Sequence, residues 1–269
     1  MSCPTNCDVE GSRDISDVSA CQKTQRFLDS HRNDQGQQPT RALFAHLIIH
    51  YDEPPHSAAM NMSIDHALLE STTIPTIRFY RWRSPALSFG YFGKFSHVAV
   101  YAAKRNLVRR WTGGGIVLHG DDLTYSIIIP ASDPVFSESS IVIYEKIHHA
   151  LTEALNGLGG RAEVVGSARH ADLAPQRGIP ANSCFANPVR ADVMMDGRKI
   201  AGAAQRRTHR GLLQQGSIQG FTISTNLAQK FAHSLSANCS RFESNSEILQ
   251  RANELARQKY GTDSWLRMR

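Results

Sequence analysis

Two hydrophobic rhythms alternate along the chain. In "SAAMNMSIDHALLE", Met60, Ile64 and Leu68 recur every four residues, as one helix face requires, and Ser57 stands before them as an N-cap. "SSIVIYEKIHHALTEALNGLGG" sets Ile143, Ile147, Leu151, Leu155 and Leu158 in one stripe, closed by Gly159-Gly160. "SHVAVYAAKRN" predicts a short helix capped by Ser96. Between these lie strand-like runs. "ALFAHLIIH" (Ala42–His50) is the first, with the Pro54-Pro55 pair expected to break the chain after it. "TIRFYRW" and "ALSFGYFG" flank the Ser84-Pro85 turn, and "NLVRRW" and "LTYSIIIP" follow. "ADVMM" and "RKIAGAAQRR" surround Asp196-Gly197, a strong short-range hairpin signal, and "GLLQQGSIQG" comes next. Residues 225–269 read as charged packing helices. This mixed order predicts an α+β fold, with mixed and antiparallel sheets packed against helices, and not a doubly wound sheet.

Composition narrows the picture. The chain has 269 residues, 41% of them hydrophobic, enough for one substantial core. Residues 1–40 are rich in Ser, Asp, Gln and Asn, and read as an N-terminal tail outside a single domain spanning 41–269. No signal peptide is expected, because no apolar core is present near the start, and the acidic residues there speak against an organelle transit peptide. No apolar run reaches about 18 residues, so no membrane-spanning helix is expected. The net charge of +6 favours acidic partners, and basic residues gather at Lys104–Arg110 and Arg198–Arg210 without forming unbroken runs. No nucleic-acid role is expected from them. Five cysteines without a CxxC pair argue against zinc and against a disulfide framework, and fit a reducing cytoplasm; no metal site is expected.

Three segments carry candidate chemistry. Gly113, Gly114 and Gly115 follow Arg109-Arg110 and precede an apolar strand. Glycine backbone can approach a ligand closely, so this loop is able to wrap a phosphate, a carbonyl oxygen or a thin acyl chain. A plain glycine-rich turn is the alternative, as a structural role is for His119. The second segment is the hairpin. With a two-residue turn, Met194 falls opposite Lys199 and Asp192 opposite Ala201, which places Lys199, Ala201, Ala203 and Gln205 on one face. There Lys199 can hold an oxyanion as a fixed charge. A solvent-facing lysine is the alternative. The third is Cys184 in "NSCFANP", either a loop thiol activated by nearby cations or a buried inert one.

"RFYRWRSPALSFGYFG", "RRWTGGGIVLH", "CFANPVRADVMMDGRKIAGAAQRR" and "GLLQQGSI", in that order, resemble the lipoate–protein ligase A family, which includes octanoyltransferases. The resemblance spans roughly residues 43–219. It implies the α+β fold shared with biotin protein ligases and the class II synthetase catalytic domain. It also implies acylation of one lysine of a lipoyl domain with an octanoyl or lipoyl group. By position, Arg110 and Gly113–Gly115 correspond to the substrate-wrapping loop, His119 to the histidine after it, and Lys199 to the catalytic lysine. Asp192, Gly202, Ala203 and Gln205 fall among the expected binding residues, and Cys184 at the nucleophile of thioester-forming members. The sequence departs from the family at Trp111, at Gly115, at Gly120 where aspartate is usual, and at Gln215 where histidine is frequent. The implied reaction takes octanoyl from an acyl carrier protein and gives it to a lipoyl-domain protein, such as glycine cleavage H protein or a 2-oxoacid dehydrogenase subunit, with no cofactor. An ATP- and Mg2+-dependent ligase acting through an acyl-adenylate is the alternative, and a non-catalytic binding homologue the second.

Overall fold

The computed structural model describes residues 42–166, 185, 188–242 and 245–268. The expected tail at residues 1–40 lies outside them, as does Cys184. Ala42–Arg269 forms one compact unit. An eight-stranded sheet runs in the order β11-β1-β2-β6-β10-β9-β8-β7. Its strands are β1 (Leu47–His56), β2 (Thr76–Trp82), β6 (Leu123–Pro130), β7 (Ala162–Val164), β8 (Val193–Met195), β9 (Arg198–Thr208), β10 (Gly211–Ile218) and β11 (Cys239–Arg241). β11, β1 and β2 are parallel, and every later pairing is antiparallel. A three-stranded sheet, β4-β3-β5, stands apart from it, built from β3 (Ala86–Phe89), β4 (Asn106–Arg109) and β5 (Ile116–His119).

Helices cover both faces of the large sheet, which is why its central strands β6 and β10 are buried along their whole length. On one face, α2 (Ser140–Asn156) and α3 (Leu227–Leu235) bury Ile143, Ile147, Leu151 and Phe231 against Phe79, Tyr125 and Ile127. On the other, α1 (Ala58–Ser71) and α4 (Ser246–Leu255) bury Ile64, Leu68, Ile248 and Ala252 against Tyr80, Ile128 and Leu213. The Ser57 side chain accepts from the Met60 N–H and so caps α1 as the sequence predicts. A short helix α5 (Asp263–Arg267) follows a π-helical turn, Ala256–Tyr260.

Two local expectations are corrected. β1 starts at Leu47 and continues through Pro54-Pro55, with its pairing to β2 shifting register between Asp52 and His56. Pro54 and Pro55 are tolerated because the shift frees that stretch from the regular ladder. The expected Ser96-capped helix is instead two short 3₁₀ turns, Phe95–His97 and Ala99–Tyr101, with no side-chain cap.

Candidate functional site

The glycine loop joins β4 to β5 and roofs a cavity of ≈ 340 Å³ over the large sheet. Gly114 and Gly115 are exposed at its mouth, while Met62, Tyr80 and Trp82 form a buried floor. Such a volume lies near the small end of the usual ligand-pocket range of about 300–1,000 Å³, and suits a small ligand.

Arg110 does not present a free charge to this space. Its guanidinium donates to the Ser88 hydroxyl at 2.7 Å and to the carbonyls of Gly113 and Gly115 at 3.0 and 2.9 Å, so it shapes the loop from within. Gly114 has φ +84°, in the left-handed region that glycine adopts freely. The facing loop comes equally close. A Cβ on Gly90 would sit 2.0 Å from the Gly114 carbonyl oxygen.

His119 lies at the end of β5, buried and stacked on Trp82 at 4.0 Å between ring centres. Its Nδ1 meets Asp122 Oδ2 at 2.7 Å, and its Nε2 meets the Ser88 hydroxyl at 2.6 Å. Asp122 accepts, so Nδ1 carries the proton; Ser88 then donates to Nε2 while accepting from Arg110. Burial pushes the His119 imidazole below its ordinary value, against the pull of Asp122. Burial would raise the Asp122 carboxyl, but His119, Ser217 and the Gly120 N–H hold it down at about 2. The neutral imidazole thus braces Ser88 and, through it, Arg110. Aspartate is absent beside His119, but Asp122, three residues on, supplies the carboxylate. Its signal is the Asp121-Asp122 pair opening a strand.

The opposite wall comes from the hairpin. Asp196 (φ +50°) and Gly197 (φ +73°) form the expected two-residue turn, and Met194 pairs with Lys199 as predicted. The register then shifts, and Val193, not Asp192, faces Ala201. Ile200 is the extra residue of this bulge. The predicted face of Lys199, Ala201, Ala203 and Gln205 is therefore corrected. Ile200 and Ala201 both enter the apolar core, whereas Lys199 shares the cavity wall with Gly202, Ala203 and Ala204. Gln205 is outside that lining and donates to Gln214 at 2.7 Å.

Lys199 is buried, and its ammonium lies 2.6 Å from Asp192 Oδ2. Two further donors fix Asp192: the Tyr144 hydroxyl on Oδ1 at 2.8 Å and the Val189 N–H on Oδ2 at 2.7 Å. The Lys199 ammonium sits 5.3 Å from the centre of the Phe185 ring, another wall of the cavity. A Cβ on Gly202 would come within 2.7 Å of Lys199 Cε and 2.8 Å of its Nζ, so this glycine leaves the lysine its room. Tyr144 carried no separate signal, being embedded in the α2 stripe beside Ile143.

Gln215 also lines the cavity. Its amide donates to Asp65 Oδ2 at 2.6 Å, and its carbonyl accepts from Thr112, the residue before the glycines, at 2.8 Å. Asp65 is itself paired with the fully buried Arg78 at 2.6 Å, which also binds Asp52. The structure therefore brings together Arg110, Gly114, Gly115, His119, Asp192, Lys199, Gly202 and Ala203 around one cavity. Gly113 contributes its carbonyl to Arg110 and is not among the lining residues.

Fold and cavity define a class: an α+β ligand-binding domain with a compact pocket and a fixed cation in its wall. Comparison then places the chain within that class. It belongs to the lipoyl protein ligase A/B catalytic domain family, whose profile matches residues 57–255. It is 38% identical over 175 residues to the octanoyltransferase LipM of Oceanobacillus iheyensis, which covers 62% of each chain. It is 39% identical over 168 residues to the LipM of Geobacillus kaustophilus, covering 60% of each. The chain thus spans somewhat under two thirds of the length of these relatives. Its fold also matches the crystal structure of a lipoate-protein ligase A bound with ATP, with a TM-score of 0.65 and 21% identity over 82% of this chain and 98% of that one. A bipartite lipoate protein ligase of Thermoplasma acidophilum matches with a TM-score of 0.57 and 20% identity, over 84% and 96% of the two chains. Among the described residues, no helix is long and apolar enough to cross a membrane.

Proposed function

We propose that the chain is an octanoyltransferase acting through Cys184. It takes an octanoyl group, or the related lipoyl group, from an acyl carrier protein thioester and passes it to a lysine of a lipoyl-domain protein. The observation that carries this reading is the cavity itself: floored by Met62, Tyr80 and Trp82, and bearing a buried, paired lysine beside Phe185, the chain neighbour of Cys184. The LipM relatives, named as octanoyltransferases, support octanoyl transfer as the activity.

In the first step the Cys184 thiolate attacks the thioester carbonyl. A new C–S bond forms, and the carrier thiolate leaves and takes up a proton. In the second, the acceptor amine attacks the Cys184 thioester, an amide forms, and the departing Cys184 sulfur recovers the proton that the amine loses. Lys199, held by Asp192, stabilises the oxyanion of each tetrahedral intermediate. No ATP enters, because thioester exchange is nearly balanced. The carrier-protein donor, the lipoyl-domain acceptor and a cytoplasmic setting all belong to this proposal.

The test supplies an apo lipoyl domain with either octanoyl carrier protein or octanoate plus ATP and Mg2+. Octanoylation from the carrier protein alone is expected. A strict need for ATP would assign a ligase, and no transfer in either arm would assign a non-catalytic binding role.

A further inference from the structure

The matched family domain ends at residue 255, yet the segment beyond it reaches back to the root of the glycine loop. Arg109 is the last residue of β4 and is fully buried. Its guanidinium donates to the carbonyls of Trp265 at 3.0 Å and Leu266 at 3.0 Å, both in α5. On the other side it donates to Tyr91 and Gly93 at 2.8 and 2.6 Å, in the loop whose Gly90 abuts Gly114. The tie runs in both directions, since the Trp265 indole N–H donates to the Arg109 carbonyl at 3.0 Å.

Two residues on, Trp111 is clamped as well. Its ring lies tilted against His66, with 4.2 Å between ring centres, and the Lys259 ammonium lies 4.4 Å from the Trp111 ring centre and 4.3 Å from that of Trp265. Tyr260 meets His66 Nδ1 at 3.1 Å. Thr112 then accepts from the Tyr91 N–H at 2.8 Å and hands over to the three glycines. Glycines have the largest conformational entropy to lose, so their geometry depends on how firmly the flanking residues are fixed. Buried hydrogen bonds to a guanidinium are among the stronger fixings available.

We propose that residues 256–268, with α5 at their centre, are a latch that positions the glycine loop, and that Arg109 and Trp265 are its two positioning residues. Neither touches the cavity. They act through Arg109–Thr112, which deliver Gly113–Gly115 to the roof of the site. The consequence for activity rests on the acyl-binding role proposed above, whereas the consequence for loop order does not.

Two variants test this: deletion of residues 263–269, and Trp265→Phe, which keeps a ring but removes the N–H aimed at Arg109. Hydrogen exchange of the apo-protein is followed peptide by peptide, alongside KM and kcat with octanoyl carrier protein. The deletion is expected to speed exchange within 110–118 at least tenfold while α2 and α3 keep their wild-type protection, and Trp265→Phe to do the same to a smaller degree. KM for the donor should rise about tenfold in the deletion, with kcat changing less. Unchanged exchange at 110–118, or an increase spread equally over α2 and α3, would overturn the latch. Faster loop exchange with unchanged KM would keep the latch and count against the acyl-binding role of the loop.

Discussion

At the scale of single residues, the site depends on groups that hold other groups. Lys199 has its charge fixed by Asp192, which Tyr144 and the Val189 N–H fix in turn. Gly202 matters by being small. Gly202→Ala would force the Lys199 end group aside, which a flexible side chain does cheaply. Turnover is therefore expected to fall on the order of 100-fold, as for loss of one preorganised stabiliser, with little change in melting temperature. An assay paired with a thermal melt checks this, and near-wild-type turnover would mean that Lys199 is not set by that contact. His148 illustrates a second kind of support. Its Nδ1 meets the Ala191 carbonyl at 2.5 Å and its Nε2 the Tyr125 hydroxyl at 2.9 Å, bracing the turn before Asp192. Burial lowers its imidazole from 6.5 to about 4. Between those values the unfolded chain binds the proton and the folded one does not. Its stabilising effect is thus complete above pH 6.5 and is lost as pH falls toward 4, at about 1.4 kcal/mol per pH unit. Urea midpoints from pH 7 to pH 5 should decline, and His148→Gln should flatten that slope by one proton; an unchanged slope would show that His148 does not carry it.

At the scale of elements, the sequence was most legible where one rhythm runs unbroken. The α2 stripe, the Ser57 cap, "LTYSIIIP" and the Asp196-Gly197 turn all follow from periodicity and turn chemistry. The failures share a physical cause, because each depends on a partner distant in the chain. The bulge at Ile200 moves Ala201 from the expected cavity face into the core, since β8 and α2 offer an apolar slot that local alternation does not reveal. β1 runs through two prolines because its pairing with β2 resumes at His56 beyond them, after a register shift that leaves them out of the ladder. Glycines at 113–115 announced a loop, but the groups that shape it, Ser88 and Asp122, come from a neighbouring strand and the start of the next. Gly90 is the clearest case of an element-level contact. A Cβ there would strike the backbone oxygen of Gly114 at 2.0 Å, and backbone cannot swing aside as a lysine can. Gly90→Ala should therefore destabilise the fold by about 1–3 kcal/mol, as for overpacking, and weaken donor binding as well. Chemical denaturation and KM together check this, and a stable variant with unchanged KM would show that the two loops need not touch.

At the scale of the whole molecule, the two sheets divide the labour. The large sheet, packed by helices on both faces, holds Lys199, Gly202 and Gln215 in fixed register, while the small sheet carries Ser88 and His119 and suspends the glycine loop over them. Neither sheet alone encloses the cavity. The net charge of +6 favours acidic partners, among them the donor proposed above, and one thiol offers an internal control. Cys239 donates to the Ser236 carbonyl at 3.2 Å, and burial pushes its thiol above the ordinary value, so it is poorly suited to attack. Passage of the acyl group through Cys184 is tested by intact-protein mass spectrometry after incubation with octanoyl carrier protein. A gain of one octanoyl group is expected, removed by hydroxylamine, retained in Cys239→Ser and absent in Cys184→Ser, which also fails to turn over. A Cys184→Ser protein that still octanoylates a lipoyl domain from the carrier protein would contradict it.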